Sequence, residues 1–234
     1  MPRRPRMVFA NTPHHITQRG HRGGDVFFSR DDRLDYLGTL IRSKQELEVQ
    51  LFAYCLMSNH IHLVVDPGDD ATKLSELMRR LASRHARRLN RVHEWKGALW
   101  SSRFHSSPID TERYLLTCGR YVDMNPVRAN LVPVPEAYEW SSYRARAGLV
   151  QCSWIDADPA LAALAMTPTA RAIVYRELIG APIPDADLAK IRAASLGNHL
   201  TGDTDFESRI EERERILVKR RPRGRPKRPL KKRA

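Results

Sequence analysis

Asn59-His60-Ile61-His62-Leu63-Val64-Val65, closed by Asp66-Pro67-Gly68-Asp69, is the stretch whose reading decides the fold. Its apolar run and its Pro-Gly stop read as a β-strand. On a strand, residues i and i+2 share a face. His60 and His62 then point one way, and Ile61 points into the opposite layer. Just upstream, Val49 to Met57 reads as a second strand and Ser58-Asn59 as a two-residue turn, so the two strands form an antiparallel hairpin.

Working outward, His14-His15-Ile16-Thr17-Gln18-Arg19 is a short β-prone run stopped by Gly20. Ser29 is a suitable N-cap for a helix carrying Leu34, Leu37, Leu40 and Ile41 on one stripe and running to about Leu47. Thr72 to about Trp95 is the clearest helix, with Leu74, Leu77, Met78, Leu81, Leu89 and Val92 as its apolar face. A fourth strand is expected around Ser102–Ser106. A further helix is expected to be capped by Asp110 or Thr111, to carry Tyr114, Leu115, Cys118, Tyr121 and Val122, and to end near Pro126. The order β-α-β-β-α-β-α is the ferredoxin-like split βαβ pattern with an added helix, an α+β fold with an antiparallel sheet. Residues 131–155 read as an irregular cover segment. Helices are expected over Pro168–Ile179, Asp185–Ala194 and Phe206–Val218, packed on the main domain. The chain thus divides into a domain over residues 8–145, a helical extension over 150–218 and a tail over 219–234.

The net charge is +13, and the last sixteen residues hold ten Lys or Arg and no acid. Removing those ten charges leaves +3, so the body is mildly basic and the tail strongly so. A polyanionic partner, nucleic acid foremost, fits this balance. Arg221-Pro222-Arg223-Gly224-Arg225-Pro226-Lys227 has the form of an AT-hook, in which Arg223 and Arg225 flank a glycine that lets the backbone enter a narrow minor groove. A generic polybasic tail accounts for it equally; either is expected to be disordered alone. Cys55, Cys118 and Cys152 are too few and too far apart for a disulfide framework or a CxxC pair, which points to a reducing compartment. Met1-Pro-Arg-Arg-Pro-Arg has no apolar run behind it, and no stretch approaches membrane-spanning length. The expectation is a cytoplasmic, nucleoid-associated protein with no membrane partner.

The chemistry rests on few residues. Two imidazoles side by side are half of a metal site, although an H-x-H pair alone is a weak signal. Tyr121 and Asn125, four apart on a helix, stack one turn above each other and offer a phenol nucleophile and an extra ligand. Tyr114, seven residues before Tyr121, and Tyr143 compete as nucleophiles. Arg80, Arg84, Arg87 and Arg91 fall within an arc of roughly 60° on one helix. That stripe suits a phosphate backbone, and equally a solvated helix flank. His85 lies on the apolar face of its helix, and His105 reads as structural or DNA-contacting. Trp95, Trp100 and Phe104 serve either base stacking or core packing.

Cys55-Leu-Met-Ser-Asn-His60-Ile-His62-Leu-Val64, Trp100-Ser-Ser-Arg-Phe-His105, Tyr121-Val-Asp-Met-Asn125-Pro-Val-Arg-Ala129 and Trp140-Ser-Ser-Tyr143, in this order, resemble the HUH tyrosine transposases, most closely the REP-associated tyrosine transposases. The resemblance covers roughly residues 8–145 and leaves the chain from about 150 onward outside it. It implies a ferredoxin-like endonuclease that cuts and rejoins single-stranded or hairpin DNA, with His60 and His62 as ligands of Mg²⁺ or Mn²⁺, Tyr121 as nucleophile and Asn125 as third ligand. It also breaks the tie between the tyrosines. A monomer would place Tyr121 beside the histidines of its own chain, and a swapped homodimer beside those of its partner. The alternative is a DNA-binding regulatory or nucleoid protein that descends from a transposase without its catalysis.

Overall fold

The computed structural model describes residues 6–110, 113–197, 199–216 and 218. The polybasic tail, with Arg223 and Arg225, lies outside the described residues. Four strands, β1 (His14–Arg19), β2 (Gln50–Leu56), β3 (His60–Asp66) and β4 (His105–Pro108), form one sheet in the order β2-β3-β1-β4. Every neighbouring pair is antiparallel. This is the α+β, ferredoxin-like arrangement expected from the element order. β4 starts later than Ser102–Ser106: Ser106 and Ser107 pair with Ile16 and His15. Residues 100–101 are instead tied to the end of β1, through a Gly20–Trp100 bridge and Ser101 N–H donating to the Arg19 carbonyl.

One face of the sheet carries Ile16, Ile61, Leu63, Val65, Leu51, Tyr54 and Leu56, and is covered by α1 (Arg30–Leu47) and α2 (Thr72–Val92). The apolar stripe of α1 is rotated from the expected one. Tyr36 and Leu40 are buried, whereas Leu34 is 47% exposed. The cause is the first turn: Ser29 and Asp32 form a reciprocal capping box, and Asp32 also ion-pairs with Arg88 of α2. Those contacts turn the Asp32–Tyr36–Leu40 face inward. On α2 the apolar face is as expected except for Val92, 59% exposed at its end.

The opposite face carries Ala53, Cys55, Val64, His15 of β1 and the two histidines of β3. A bulge at Phe52, between the pairs Leu51–Val65 and Ala53–Val64, puts Phe52 and Ala53 in the same core and sets Cys55 opposite His62. On this face α3 (Leu115–Asp123) packs on β2 and β3, followed by the short α4 (Asn125–Arg128); α5 (Tyr143–Arg146), α6 (Pro159–Ala162) and α7 (Pro168–Gly180) pack together with Leu116 of α3, α8 (Asp185–Gly197) covers β4 and β1, and α9 (Thr204–Glu214) packs with Phe9 and Leu200. The C-terminal helices lie close to the expected ranges. α8 packs on β4, β1 and α3, and Ile191 joins the core of this face.

Chain outside the strands occupies both sheet borders. Along β2, the Leu51 N–H and C=O bond to Asp156, the Phe52 carbonyl accepts from Arg146, Tyr54 exchanges bonds with Ser142, and Leu56 is met by Trp140 and Tyr138. Beside β4, Thr201 donates to the Pro108 carbonyl and accepts from Asp110 N–H, while Ser107 Oγ donates to the His199 carbonyl. Among the described residues no helix is long and apolar enough to cross a membrane.

Candidate active site

Cross-strand pairing sets the floor of the site. Thr17 lies opposite His62 and Arg19 opposite His60, so His15, Thr17 and Arg19 share the face of the two β3 histidines. The His60 and His62 rings are 4.9 Å apart. His15 stacks on His62 at 5.1 Å, with His15 Nε2 2.9 Å from His62 Nδ1. Tyr121 of α3 sits above them in the same chain, its ring 6.0 Å from His62 and 5.7 Å from His15. The strand alternation and the helix thus bring His60, His62 and Tyr121 into one cluster. His15 belongs to it too; no local pattern marks it, because its partner is 47 residues away.

The rival tyrosines lie in packed cores. Tyr114 is buried with its hydroxyl accepting from Lys190 Nζ at 2.9 Å, and Tyr143 packs against Tyr175.

The helix bearing Tyr121 is not continuous. It stops at Asp123, and Pro126, which has no N–H, lies in the first turn of the next one. Asn125 repairs the gap: its Nδ2 donates to the Tyr121 and Val122 carbonyls at 3.1 and 3.3 Å. Its Oδ1 accepts from Arg128 Nη2 at 3.0 Å. A metal ligated by Asn125 would share that oxygen with Arg128.

Arg128 is a second residue that the motif contained without its role being legible. Its guanidinium lies 3.8 Å from the Tyr121 ring centroid. Nη2 donates to the Tyr121 carbonyl at 2.9 Å, and Nη1 is buried with no hydrogen-bond partner. A charged donor left open beside a phenol is suited to an anion.

Asn59, read as a turn residue, also orients a ligand candidate. Its Nδ2 donates to the Gly23 carbonyl, so its Oδ1 faces His60 and accepts from Nδ1–H at 2.6 Å. That leaves Nε2 as the lone pair of His60. Burial pulls His60 down to about 4 and His62 well below the usual imidazole range. Neutral imidazoles with one nitrogen hydrogen-bonded are the state in which histidine binds a metal. The residues present therefore fit a divalent ion.

Burial likewise pulls His15 to about 3 and His14 to about 4. These groups are neutral in the folded chain and titrate near 6.5 when unfolded. The unfolded state therefore binds more protons between those values. The stability they provide is complete above about pH 6.5 and drains away as pH falls toward 4. His14 alone, fully buried, accounts for about 3 kcal/mol at the acid end. The melting temperature of the metal-free protein is expected to drop steeply from pH 6.5 to 4.5; a flat profile there would contradict the burial of these rings.

The arginine stripe is divided. Arg80 is held by Glu76 at 2.8 Å and by Glu46 at 2.5 Å, and Arg84 lies 3.7 Å from Asp35. Arg87 and Arg91 are exposed and line a cleft with Arg84, Arg88 and Asp35. Of the aromatics, Phe104 is buried and Trp100 packs on the α1/α2 core, whereas Trp95 is half-exposed and stacked on His93.

The sequence model of IS200-like transposases matches residues 12–125, from β1 to the Asn125 that bridges the helix break. This segment belongs to that family. Among seven matching solved chains, a REP-associated tyrosine transposase bound to a REP hairpin superposes with a TM-score of 0.50 at 14% identity, over 67% of this chain and 98% of that one. No curated protein matches the chain. The transposase-family segment thus contains His15, His60, His62, Tyr121 and Asn125, while Arg128 and α5 to α9 follow it in sequence.

Proposed function

We propose that the protein is a single-strand DNA endonuclease and strand transferase that uses Tyr121 as nucleophile, with His60 and His62, and Asn125 as third ligand, holding Mg²⁺ or Mn²⁺. The observation that carries this reading is the packing of the Tyr121 ring against His62 in one chain, 4.9 Å from which lies His60. The likeness to a transposase bound to a REP hairpin supports hairpin-containing single strands as substrate.

In the reaction, Tyr121 Oη forms a bond to phosphorus and the P–O3′ bond breaks. The phenol loses one proton and the departing 3′ oxygen takes one up. One phosphodiester replaces another, so the step reverses without an external energy source and favours rejoining over degradation. A bound divalent ion would supply charge neutralisation at the scissile phosphate. Imidazole ligands favour Mn²⁺, and the Asn125 oxygen suits Mg²⁺. Neutral His60 and His62, on the rigid β3 strand, would hold that ion. Arg128 lies over the Tyr121 ring and offsets negative charge as it develops on the phenol or the phosphate. Arg87 and Arg91 give a flanking strand its backbone contacts, and Arg223 and Arg225 of the tail add affinity that weakens with salt.

The test is incubation with labelled hairpin-bearing single strands and Mn²⁺ or Mg²⁺, followed by denaturing electrophoresis. A protein–DNA adduct that survives denaturation, and disappears with a chelator, is the expected result. Binding with no adduct in any metal would leave a non-catalytic DNA-binding protein. Arg128→Gln is expected to slow adduct formation about 100-fold, as loss of one charged donor at a reacting centre does. A variant as fast as the parent at neutral pH would remove Arg128 from the chemistry.

A further inference from the structure

Ser195 of α8 is buried at the back of the histidine cluster, 180 residues from His15 in sequence. Its Oγ lies 2.9 Å from His15 Nδ1 and 2.7 Å from the Ile191 carbonyl. His15 Nε2 in turn lies 2.9 Å from His62 Nδ1. We propose that Ser195 is a positioning residue for the metal site, fixing through His15 the tautomer in which His62 offers Nε2 as a lone pair.

The argument is a count of protons along one line of atoms. The Ile191 carbonyl can only accept, so the single hydroxyl proton of Ser195 goes to it, the i−4 back-bond that serine makes within helices. The Ser195 oxygen then accepts, and His15 must carry its proton on Nδ1. A neutral His15 leaves Nε2 as an acceptor, so the proton of His62 sits on Nδ1. His62 Nε2 is therefore bare. If Ser195 instead donated to His15, every proton would shift by one position and His62 would present Nε2–H, which cannot ligate a cation. Asn59 does for His60 what this relay does for His62. The difference is that the relay starts outside the segment shared with the transposase family. The C-terminal extension thus completes the site built by the sheet. The link from tautomer to metal rests on the reading of His60 and His62 as ligands, but the tautomers themselves do not.

Long-range ¹H–¹⁵N correlation spectra of the histidine rings in the metal-free full-length protein read the tautomers directly. The expected result is protonated Nδ1 and bare Nε2 on both His15 and His62. Ser195→Ala should move the His15 proton to Nε2 and that of His62 to Nε2, and should lower Mn²⁺ affinity, measured by calorimetry, about 10- to 100-fold. Ser195→Thr, which keeps a hydroxyl able to bond the i−4 carbonyl, should retain the parental tautomers. A parental spectrum with His62 protonated on Nε2 overturns the proposal, and this arm stands whether or not Ser195→Ala folds. Unchanged tautomers and affinity in a folded Ser195→Ala also overturn it. Parental tautomers as stated, with no Mn²⁺ bound, would uphold the relay and refute the metal reading instead.

Discussion

Tyr121→Phe is expected to abolish the covalent protein–DNA adduct and to slow strand cleavage by at least about 1,000-fold, because phenylalanine has no oxygen to bond to phosphorus. The substitution is otherwise gentle. The ring packs among Cys55, Val64 and Val122, meets His15 and His62 edge-on, and lies under Arg128; the ring itself makes all of these contacts. Thermal stability and DNA affinity should therefore stay near the parental values, which separates loss of chemistry from loss of fold. Tyr114→Phe is the matching control. It removes the bond from Lys190 and costs about 1 kcal/mol, but leaves the adduct intact. If Tyr121→Phe traps DNA as the parent does, the nucleophile lies elsewhere; if Tyr114→Phe abolishes trapping, the assignment passes to Tyr114.

Asp123→Ala should destabilise the fold by about 3–5 kcal/mol, the cost of leaving a buried charge without its counterion. Asp123 ends α3, two residues after Tyr121, and its side chain is wholly buried. It accepts from Ser142 Oγ at 2.5 Å and from the Tyr175 hydroxyl at 2.6 Å, and lies 3.2 Å from Arg146 Nε. Arg146, equally buried, also pairs with Asp158 at 2.7 Å and donates to the Phe52 carbonyl. One group thus joins α3, the Trp140–Tyr143 segment, the β2 bulge and α7. The packing there is tight: a Cβ added to Gly119 would fall 2.4 Å from Arg146 Nη2. The midpoint of urea unfolding should fall sharply in Asp123→Ala with little change in slope. A parental midpoint would mean that Arg146 finds adequate compensation from Asp158 alone.

The parts legible in the sequence were those set by short-range periodicity. Alternation along Asn59–Val65 put His60 and His62 on one face, and the apolar spacing of Thr72–Val92 marked its helix and its buried His85. Distance along the chain hid the rest. His15 meets His62 through strand register, and Ser195 meets His15 from a helix near the other end of the chain, so no local pattern connects them. Helical spacing grouped four arginines, but the acids that hold Arg80 and Arg84 include Glu46 and Asp35 of α1. Arg88, outside that stripe, makes the part-buried pair with Asp32 that turns α1. Pro126 marked a helix end, while the use of the Asn125 amide to bridge it needs coordinates in three dimensions.

The chain that borders the sheet has a consequence for self-association. A strand at the margin of a sheet ordinarily offers a row of open amides and carbonyls on which another polypeptide can lay itself down. On β2 that row is already taken by residues 138–156, and at the end of β4 Thr201 takes the Pro108 carbonyl and the Asp110 amide. Two copies of this protein could pair along β2 only after one peels away that lining. Displacing Thr201 at the β4 end would pull on the segment that follows Ser195 and so disturb the histidines from behind. Stacking through helices leaves both the lining and the histidine cluster in place.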